Sequence, residues 1–416
     1  MNDINIAITA ASYSGNKGAA AMLQSSLGQL WDIYGERLNV RLMSVYPSSD
    51  KEQVPFDFVE VVSQKPEQLV FLAFPLAILY RLFKWIAPVK KLISQNRIIR
   101  SYIKTDLVID EAGISFVDER GFVMNTYAFI CMAVPLLVGT PVVKYSQALG
   151  SFNNPWNRFL AKWILPKIKL ICARGQITDD NLRSIGIKKN VKICADGAFT
   201  MRDDPETTKL VDKETETSSF WKEKVIGVSV SSVVDKKCRS MGIDYRNVMT
   251  EFINYLTSSG LNVMIIANAA RIDSSKPRNN DLMVCDDVYE RVDNKERVLW
   301  IHKEMTPEEI REYIGRCECI VASRFHAMIG ALQRKVPVLL VGWSHKYQEV
   351  LDMFGIGRYA NDFSTLDTGN FIKTFDDFYS NLEDIREKIN DSYDSVIDSS
   401  LDNIGLISGC IDEILA

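Results

Sequence analysis

Ser323, Arg324, Phe325 and His326 stand between a short apolar run, Cys319 to Ala322, and a stretch from Phe325 to Arg334 whose apolar spacing is that of a helix. Polar residues at the carboxyl end of a strand and the amino end of a helix lie where open α/β sheets bind ligands, because backbone N–H groups and the helix dipole there favour an anion. Arg324 adds a planar cation matched to carboxylate or phosphate, and His326 adds a side chain that exchanges protons near neutral pH. The next apolar run, Pro337 to Val341, ends in Gly342, Trp343, Ser344, His345 and Lys346. Two neighbouring strand ends thus carry Arg, His, His and Lys. A lone Arg at a helix start is equally at home on a surface, and a lone His in an apolar core. Their clustering is what favours an anion site with a proton donor.

These residues need strands and helices to hold them, and the chain supplies alternating units. Asn5 to Ala10 reads as a strand, Ser12 to Gly18 as a loop and Ala19 to Tyr34 as a helix. The small residues Gly15, Gly18, Ala19 and Ala20 permit close approach of a ligand, which makes Gly15 and Asn16 candidate contacts, although the loop matches neither the dinucleotide fingerprint nor the phosphate loop. Further strands end in polar residues: Leu107 to Asp110 leads to Glu111, Val142 runs to Gln147, Leu170 to Ala173 precedes Arg174, and Val191 to Cys194 precedes Asp196. From Arg202 to Lys222 the sequence is charged and without period. It then restarts with Val225 to Val230, Leu261 to Ala267, Val298 to Ile301 and a capping box at Thr306 to Glu309. The pattern predicts an α/β protein with two parallel-sheet domains facing one another across a cleft. The expected division is 1–205, a linker at 206–222, a second domain at 223–370, and helices at 371–416 that form a tail crossing back to the first domain.

At 416 residues the chain is too long for one core, and 47 % hydrophobic with 25 % charged residues is the composition of a folded globular protein. A net charge of −4 gives no footprint for nucleic acid. The chain runs from Met1 straight into a strand pattern, so no signal peptide is expected. Eight cysteines, several within apolar runs, read as reduced core thiols of a cytoplasmic protein. Cys317 and Cys319 lack a second pair, and none of the three histidines pair at helical ligand spacing, so no metal is expected.

The stretch from Leu69 to Ile93 opens with twelve uncharged residues interrupted by Pro75, too few to span a bilayer, and continues with Trp85, Phe83 and Leu82 among Arg81, Lys84, Lys90 and Lys91. It suits a helix lying in a membrane interface, or alternatively a buried hairpin or a homo-oligomer contact. Trp156 to Lys169 repeats the mixture.

Together, Gly15-Asn16-x-Gly18, Gln147-Ala148-Leu149-Gly150, Ala173-Arg174 with Thr178, Cys194 to Phe199, Ser323-Arg324-Phe325-His326-Ala327, Val336-Pro337-Val338 and Lys346 resemble, in order and spacing, the polysaccharide pyruvyltransferase family. The resemblance runs from near residue 5 to near residue 355. It implies a fold like the two-domain GT-B glycosyltransferases and transfer of the enolpyruvyl unit of phosphoenolpyruvate to a sugar as a pyruvate ketal, with release of phosphate. It further implies that Arg324 and His326 occupy the Arg-x-His positions linked to donor binding and catalysis, and that Lys346 fills a common basic position. No cofactor is implied beyond phosphoenolpyruvate as co-substrate.

On this reading His326 and Arg324 are catalytic. Arg324, Lys346, Arg174, Ser323 and Ser344 bind the donor, and Gly15, Asn16, Asp110, Glu111, Gln147 and Asp196 lie on the acceptor side. The partner is a sugar of a bacterial exopolysaccharide or capsule, or its lipid-linked oligosaccharide precursor at the cytoplasmic membrane face. The competing expectations are a nucleotide-sugar glycosyltransferase on the same frame and a non-catalytic assembly protein. Ala19 and Ala20 depart from the family pattern, as does Gly175, which stands where an acidic partner of Arg174 is usual.

Overall fold

The computed structural model describes residues 3–14, 16–270, 280–342 and 345–416, without the side chain of His345. Gly15, Trp343 and Ser344 lie outside the described residues. The chain divides into two compact units: Met1–Ser14, Met22–Thr200 and Asp398–Ala416 form one, and Gly15–Ala21 with Met201–Ile397 form the other.

Unit 1 is built on a parallel sheet. Its strands are β1 (Ile4–Thr9), β2 (Leu38–Ser44), β3 (Val59–Ser63), β4 (Leu107–Asp110), β5 (Ile114–Ser115), β6 (Val142–Leu149), β7 (Leu170–Arg174) and β8 (Val191–Cys194). They lie in the order β3-β2-β1-β4-β6-β7-β8, with β5 pairing β6. Runs such as Leu107–Asp110 and Val142–Leu149 are buried along their whole length, as a parallel sheet covered by helices on both faces requires. The chain leaves β1 toward β2 and returns on the other side as β4, so a topological switch point lies at the carboxyl ends of β1 and β4, where Thr9 is the register partner of Asp110.

Unit 2 repeats the arrangement with β9 (Val225–Ser229), β10 (Asn262–Ile266), β11 (Val298–Trp300), β12 (Cys319–Ala322), β13 (Val338–Gly342) and β14 (Ala360–Asp362), all parallel, in the order β11-β10-β9-β12-β13-β14. Its switch point falls between β9 and β12, where Ser229 is the register partner of Ala322. The Thr306 capping box is present: the Glu309 N–H donates to the Thr306 hydroxyl, and the Thr306 N–H donates to the Glu309 carboxylate.

Several elements differ from expectation. Within residues 206–222, expected as a linker, the chain forms most of the helix Pro205–Thr217, capped by Asp204, and the short helical turn Ser219–Lys222. That helix buries only Val211 and Thr215, too few positions to register as a period. The edge strands β3 and β14 escaped the sequence for a similar reason, being partly exposed and short. The tail is helical, as expected. Thr368–Ser380 precedes the long helix Leu382–Leu415, whose last part, from Asp398, is assigned to unit 1. There Ser400 donates to the Asp196 carbonyl at 2.7 Å and Asn403 donates to the Ala195 carbonyl at 2.9 Å.

The apolar segment from Leu69 folds as a π-helical turn, Leu69–Ala73, the helix Phe74–Phe83 and the helix Ala87–Ile93. Only Leu69, Ala73, Ala77, Tyr80 and Ile93 of these three elements are buried, which removes the buried-hairpin reading. Pro66–Phe83 and Asp118–Val138 are long and apolar enough, by length and composition alone, to cross a membrane. The second is tied into the core of unit 1 through Phe129 to Pro135. All eight cysteines are free, seven of them buried.

Candidate functional site

The strongest sequence candidates converge on the switch point of unit 2. β12 delivers Ser323 and Arg324 to the start of the helix Phe325–Gln333, and β9 delivers Ser229, Ser231 and Ser232 beside them. Arg324 is held by the fully buried Asp281. Its Nε donates to Oδ2 at 2.9 Å, one terminal nitrogen donates to Oδ1, and the same nitrogen reaches the Ser232 hydroxyl at 3.2 Å. Asp281 also accepts from the backbone N–H groups of Ser232, at 2.9 Å, and Ala269, at 3.0 Å. Four donor groups therefore fix one carboxylate, and that carboxylate fixes the guanidinium plane. Burial opposes the charge of Arg324, but the charge and hydrogen bonds of Asp281 more than offset it and hold the guanidinium protonated. Ser323 is fully buried and accepts from the Tyr245 hydroxyl at 2.8 Å.

His326 lies one residue into the same helix and meets an element from far away in sequence. A Cβ placed on Gly18 would fall 1.8 Å from His326 Nδ1 and 2.1 Å from Cγ, so the imidazole rests directly on the Gly18 backbone. The absence of a side chain at Gly18 is what admits the ring. Asn16 accepts from the Gly18 N–H at 3.2 Å and caps the helix Lys17–Tyr34, whose first turn belongs to unit 2. Lys17 donates to Glu304 at 2.9 Å within the same unit. Lys346 projects its amine over the Phe325 ring, 4.5 Å from the centroid, and lies 5.3 Å from that of Tyr347. The structure thus brings Asn16, Gly18, Ser323, Arg324, His326 and Lys346 into one unit.

The remaining candidates lie in unit 1. Asp110, at the end of β4, pairs with Lys144 at 2.5 Å, both of them buried. Lys144 also donates to Gln147 at 3.0 Å and Ser115 at 3.2 Å, while Gln147 donates to the Asp110 carbonyl at 2.7 Å. Arg174, expected beside the donor, is instead 0 % exposed in unit 1. It pairs with Asp196 at 2.8 Å and donates through Nε and a terminal nitrogen to the Ser146 carbonyl at 3.1 and 2.5 Å. The partner missing at Gly175 therefore comes from the end of the adjacent strand, where Arg174 and Cys194 are register partners. A register shift in β6 between Lys144 and Gln147 accompanies φ +46° at Ser146, a left-handed conformation uncommon for serine.

Glu111 is fully buried. Desolvation drives its carboxyl up, the Ser26 hydroxyl pulls it down, and the charge of Asp110 raises it, leaving it at about 8. It is therefore mostly protonated at neutral pH. One of its oxygens accepts from Ser26 at 2.6 Å and the other, Oε2, has no hydrogen-bond partner among the described residues. Gly197 makes room for the buried Tyr145, since a Cβ there would fall 2.0 Å from its hydroxyl.

Sequence reasoning passed over Asp281 and Lys144. Asp281 sits at the end of a polar loop immediately before an apolar helix, which reads only as a cap. Lys144 is a lone cation inside an apolar strand, a signal that was available in the sequence.

The family model described as polysaccharide pyruvyl transferase matches residues 16–345. Among solved structures, UDP-GlcNAc 2-epimerase from Neisseria meningitidis bound to UDP-GlcNAc aligns with a TM-score of 0.61 and 13 % identity, over 98 % of this chain and 100 % of that one. An α,α-trehalose-phosphate synthase (UDP-forming) from Burkholderia vietnamiensis aligns at 0.58 and 10 %, over 100 % and 98 %. At such identities the likeness is one of fold, and that fold is GT-B: two parallel-sheet α/β domains and a helical carboxyl-terminal tail.

Proposed function

The chain belongs to the polysaccharide pyruvyl transferase family, and on that premise we propose that it transfers the enolpyruvyl unit of phosphoenolpyruvate to a sugar of a bacterial surface polysaccharide or its lipid-linked precursor. The reaction protonates the terminal methylene carbon of phosphoenolpyruvate and generates positive character at the central carbon. One sugar hydroxyl adds there, phosphate leaves with the electrons of its C–O bond, and a second hydroxyl closes the ketal.

The observation that carries the reading is the meeting, inside unit 2, of His326 with Gly18 beside the Asp281-oriented Arg324 and Lys346. A donor bearing a carboxylate and a phosphate needs a rigid planar cation and a second, more compact one, and Arg324 and Lys346 supply that pair. His326 is the proposed proton donor to the methylene carbon or base toward a hydroxyl. Asp281 is a positioning residue that acts through Arg324. Unit 1 offers a different chemistry. Its cations are committed to Asp110 and Asp196, and Glu111 is held neutral, which suits the hydroxyls of an uncharged sugar.

The test is the thermal unfolding midpoint measured with phosphoenolpyruvate and with UDP-GlcNAc, in the wild type and in Lys346→Ala. A ligand that binds only the folded protein raises the midpoint. Phosphoenolpyruvate is expected to raise it, the variant to lose most of that rise, and UDP-GlcNAc to leave it unchanged. A rise with UDP-GlcNAc alone moves the reading to a nucleotide-sugar enzyme.

A further inference from the structure

Unit 1 carries an apolar surface that its core does not use. Phe71 and Trp85 are 78 % and 77 % exposed, and Leu72, Leu82 and Leu92 are at least half exposed. The helix Phe74–Phe83 packs against Gly121–Val138, which in turn packs against Pro155–Ile164. The outer residues of the last two helices form a continuous run of rings. Phe122 stacks on Trp156 with centroids 5.0 Å apart, Trp156 on Phe159 at 5.7 Å, and Phe159 meets Trp163 at 6.1 Å. Phe122, Phe159 and Trp163 are each more than half exposed. Aromatic side chains contribute large contact areas, and leaving this many in water is costly unless something covers them.

Charge says what that covering is. Residues 68–105 and 120–178 contain no Asp or Glu, in a chain that has 53 of them and a net charge of −4. Arg81, Lys84, Lys90, Lys91, Arg158, Lys162 and Lys167 of these segments are all exposed. Lys167 holds its amine 5.0 Å from the Trp163 ring centroid, placing aromatic body and cation side by side. A self-association face on a net acidic protein would gather this cationic charge against itself, whereas an anionic bilayer complements both the rings and the amines. Tryptophan and lysine at the rim of an apolar face are the residues that favour the headgroup boundary.

We propose that the exposed face formed by residues 71–92, Phe122, Trp156, Phe159 and Trp163 docks onto an anionic lipid bilayer surface, with the rings entering the headgroup boundary and the lysines and arginines meeting lipid phosphates. The face is defined by its own residues and stands whether or not the donor is phosphoenolpyruvate.

The experiment is co-sedimentation of the full chain with vesicles of phosphatidylcholine alone and of phosphatidylcholine mixed with phosphatidylglycerol. Binding to the mixed vesicles is expected to exceed binding to the neutral ones by on the order of tenfold and to weaken as salt rises. Phe71→Ser combined with Trp85→Ser should lower binding to both kinds of vesicle at an unchanged unfolding midpoint. Lys90→Gln with Lys91→Gln should remove on the order of tenfold from the anionic binding alone. Light scattering on the same samples supplies the opposing outcome. Failure to bind either vesicle overturns the proposal, and a dimer that Phe71→Ser with Trp85→Ser dissociates would then assign the face to a second copy of this chain.

Discussion

The two switch points share a topology and differ in how their charges are arranged. In unit 1 the cations are sealed, with the side chains of Lys144 and Arg174 both 0 % exposed and each paired with its own carboxylate, while Glu111 stands beside them protonated. In unit 2 the side chain of Arg324 keeps 17 % of its surface even though it is paired with Asp281, His326 follows it on the same helix, and Lys346 comes from the helix after the next strand. A buried pair whose partners are both enclosed serves as a fixed polar floor. A cation oriented from one side and open on the other serves as a binding group. Equal strand ends therefore need not be equal sites, and the exposure of the cation separates them.

The comparison breaks most readily at His326. If unit 2 holds the reacting groups, His326→Ala lowers phosphate release from phosphoenolpyruvate in the presence of acceptor by about 10²- to 10⁴-fold with little change in unfolding midpoint. Gly18→Ala should approach the same loss, because the added methyl would fall 1.8 Å from Nδ1 and displace the ring. Alanine is otherwise welcome in a helical first turn, so folding should survive. Full activity in Gly18→Ala would show that the imidazole position seen here does not matter.

The charge pairs give the next largest effects and sharpen the contrast. Lys144→Met leaves Asp110 buried without its cation and is expected to cost about 3 kcal/mol in denaturant unfolding, with the phosphoenolpyruvate-induced midpoint shift retained. Asp281→Asn should also destabilise, and in addition should weaken phosphoenolpyruvate binding, because Arg324 loses its bidentate anchor. If both variants lost the ligand response equally, the two units would not divide the work as described.

Glu111 gives the effect that is smallest at any single step of pH, because it is spread over a wide range. Its carboxyl is raised in the folded protein from an ordinary value of 4.5 to about 8. Between those values the native state holds a proton that the unfolded chain has released. Stability should therefore be greatest below the lower value and fall as pH rises toward the upper one, by at most about 1.4 kcal/mol per unit. Glu111→Gln mimics the neutral form, so the variant should lose this slope and match or exceed the wild type near pH 8. A wild-type slope that persists in the variant would place the titrating group elsewhere.

Much of the framework was legible in the sequence. Parallel strands buried on both faces are continuous apolar runs, so β4 and β12 could be read residue for residue, and the polar residues that close them stood out by contrast. Ser323-Arg324-Phe325-His326 was found this way. The half-exposed helix Pro205–Thr217 and the edge strands β3 and β14 bury too little to leave a pattern. The apolar composition from Leu69 to Ile93 was visible too, but not which of its residues face outward.

What the sequence determined by itself is the order of strands and helices and the chemical types at each strand end, because both follow from local burial and backbone propensity. Only the tertiary structure decided which of those types meet. Asp281 finds Arg324 across 43 residues. Asp196 finds Arg174 on the neighbouring strand, and Gly18 receives His326 from the far part of the chain. Strand order decides such meetings: inserting β9 between β10 and β12 brings three distant loops to one switch point. Long-range pairings of this kind carry no local periodicity from which they could be read.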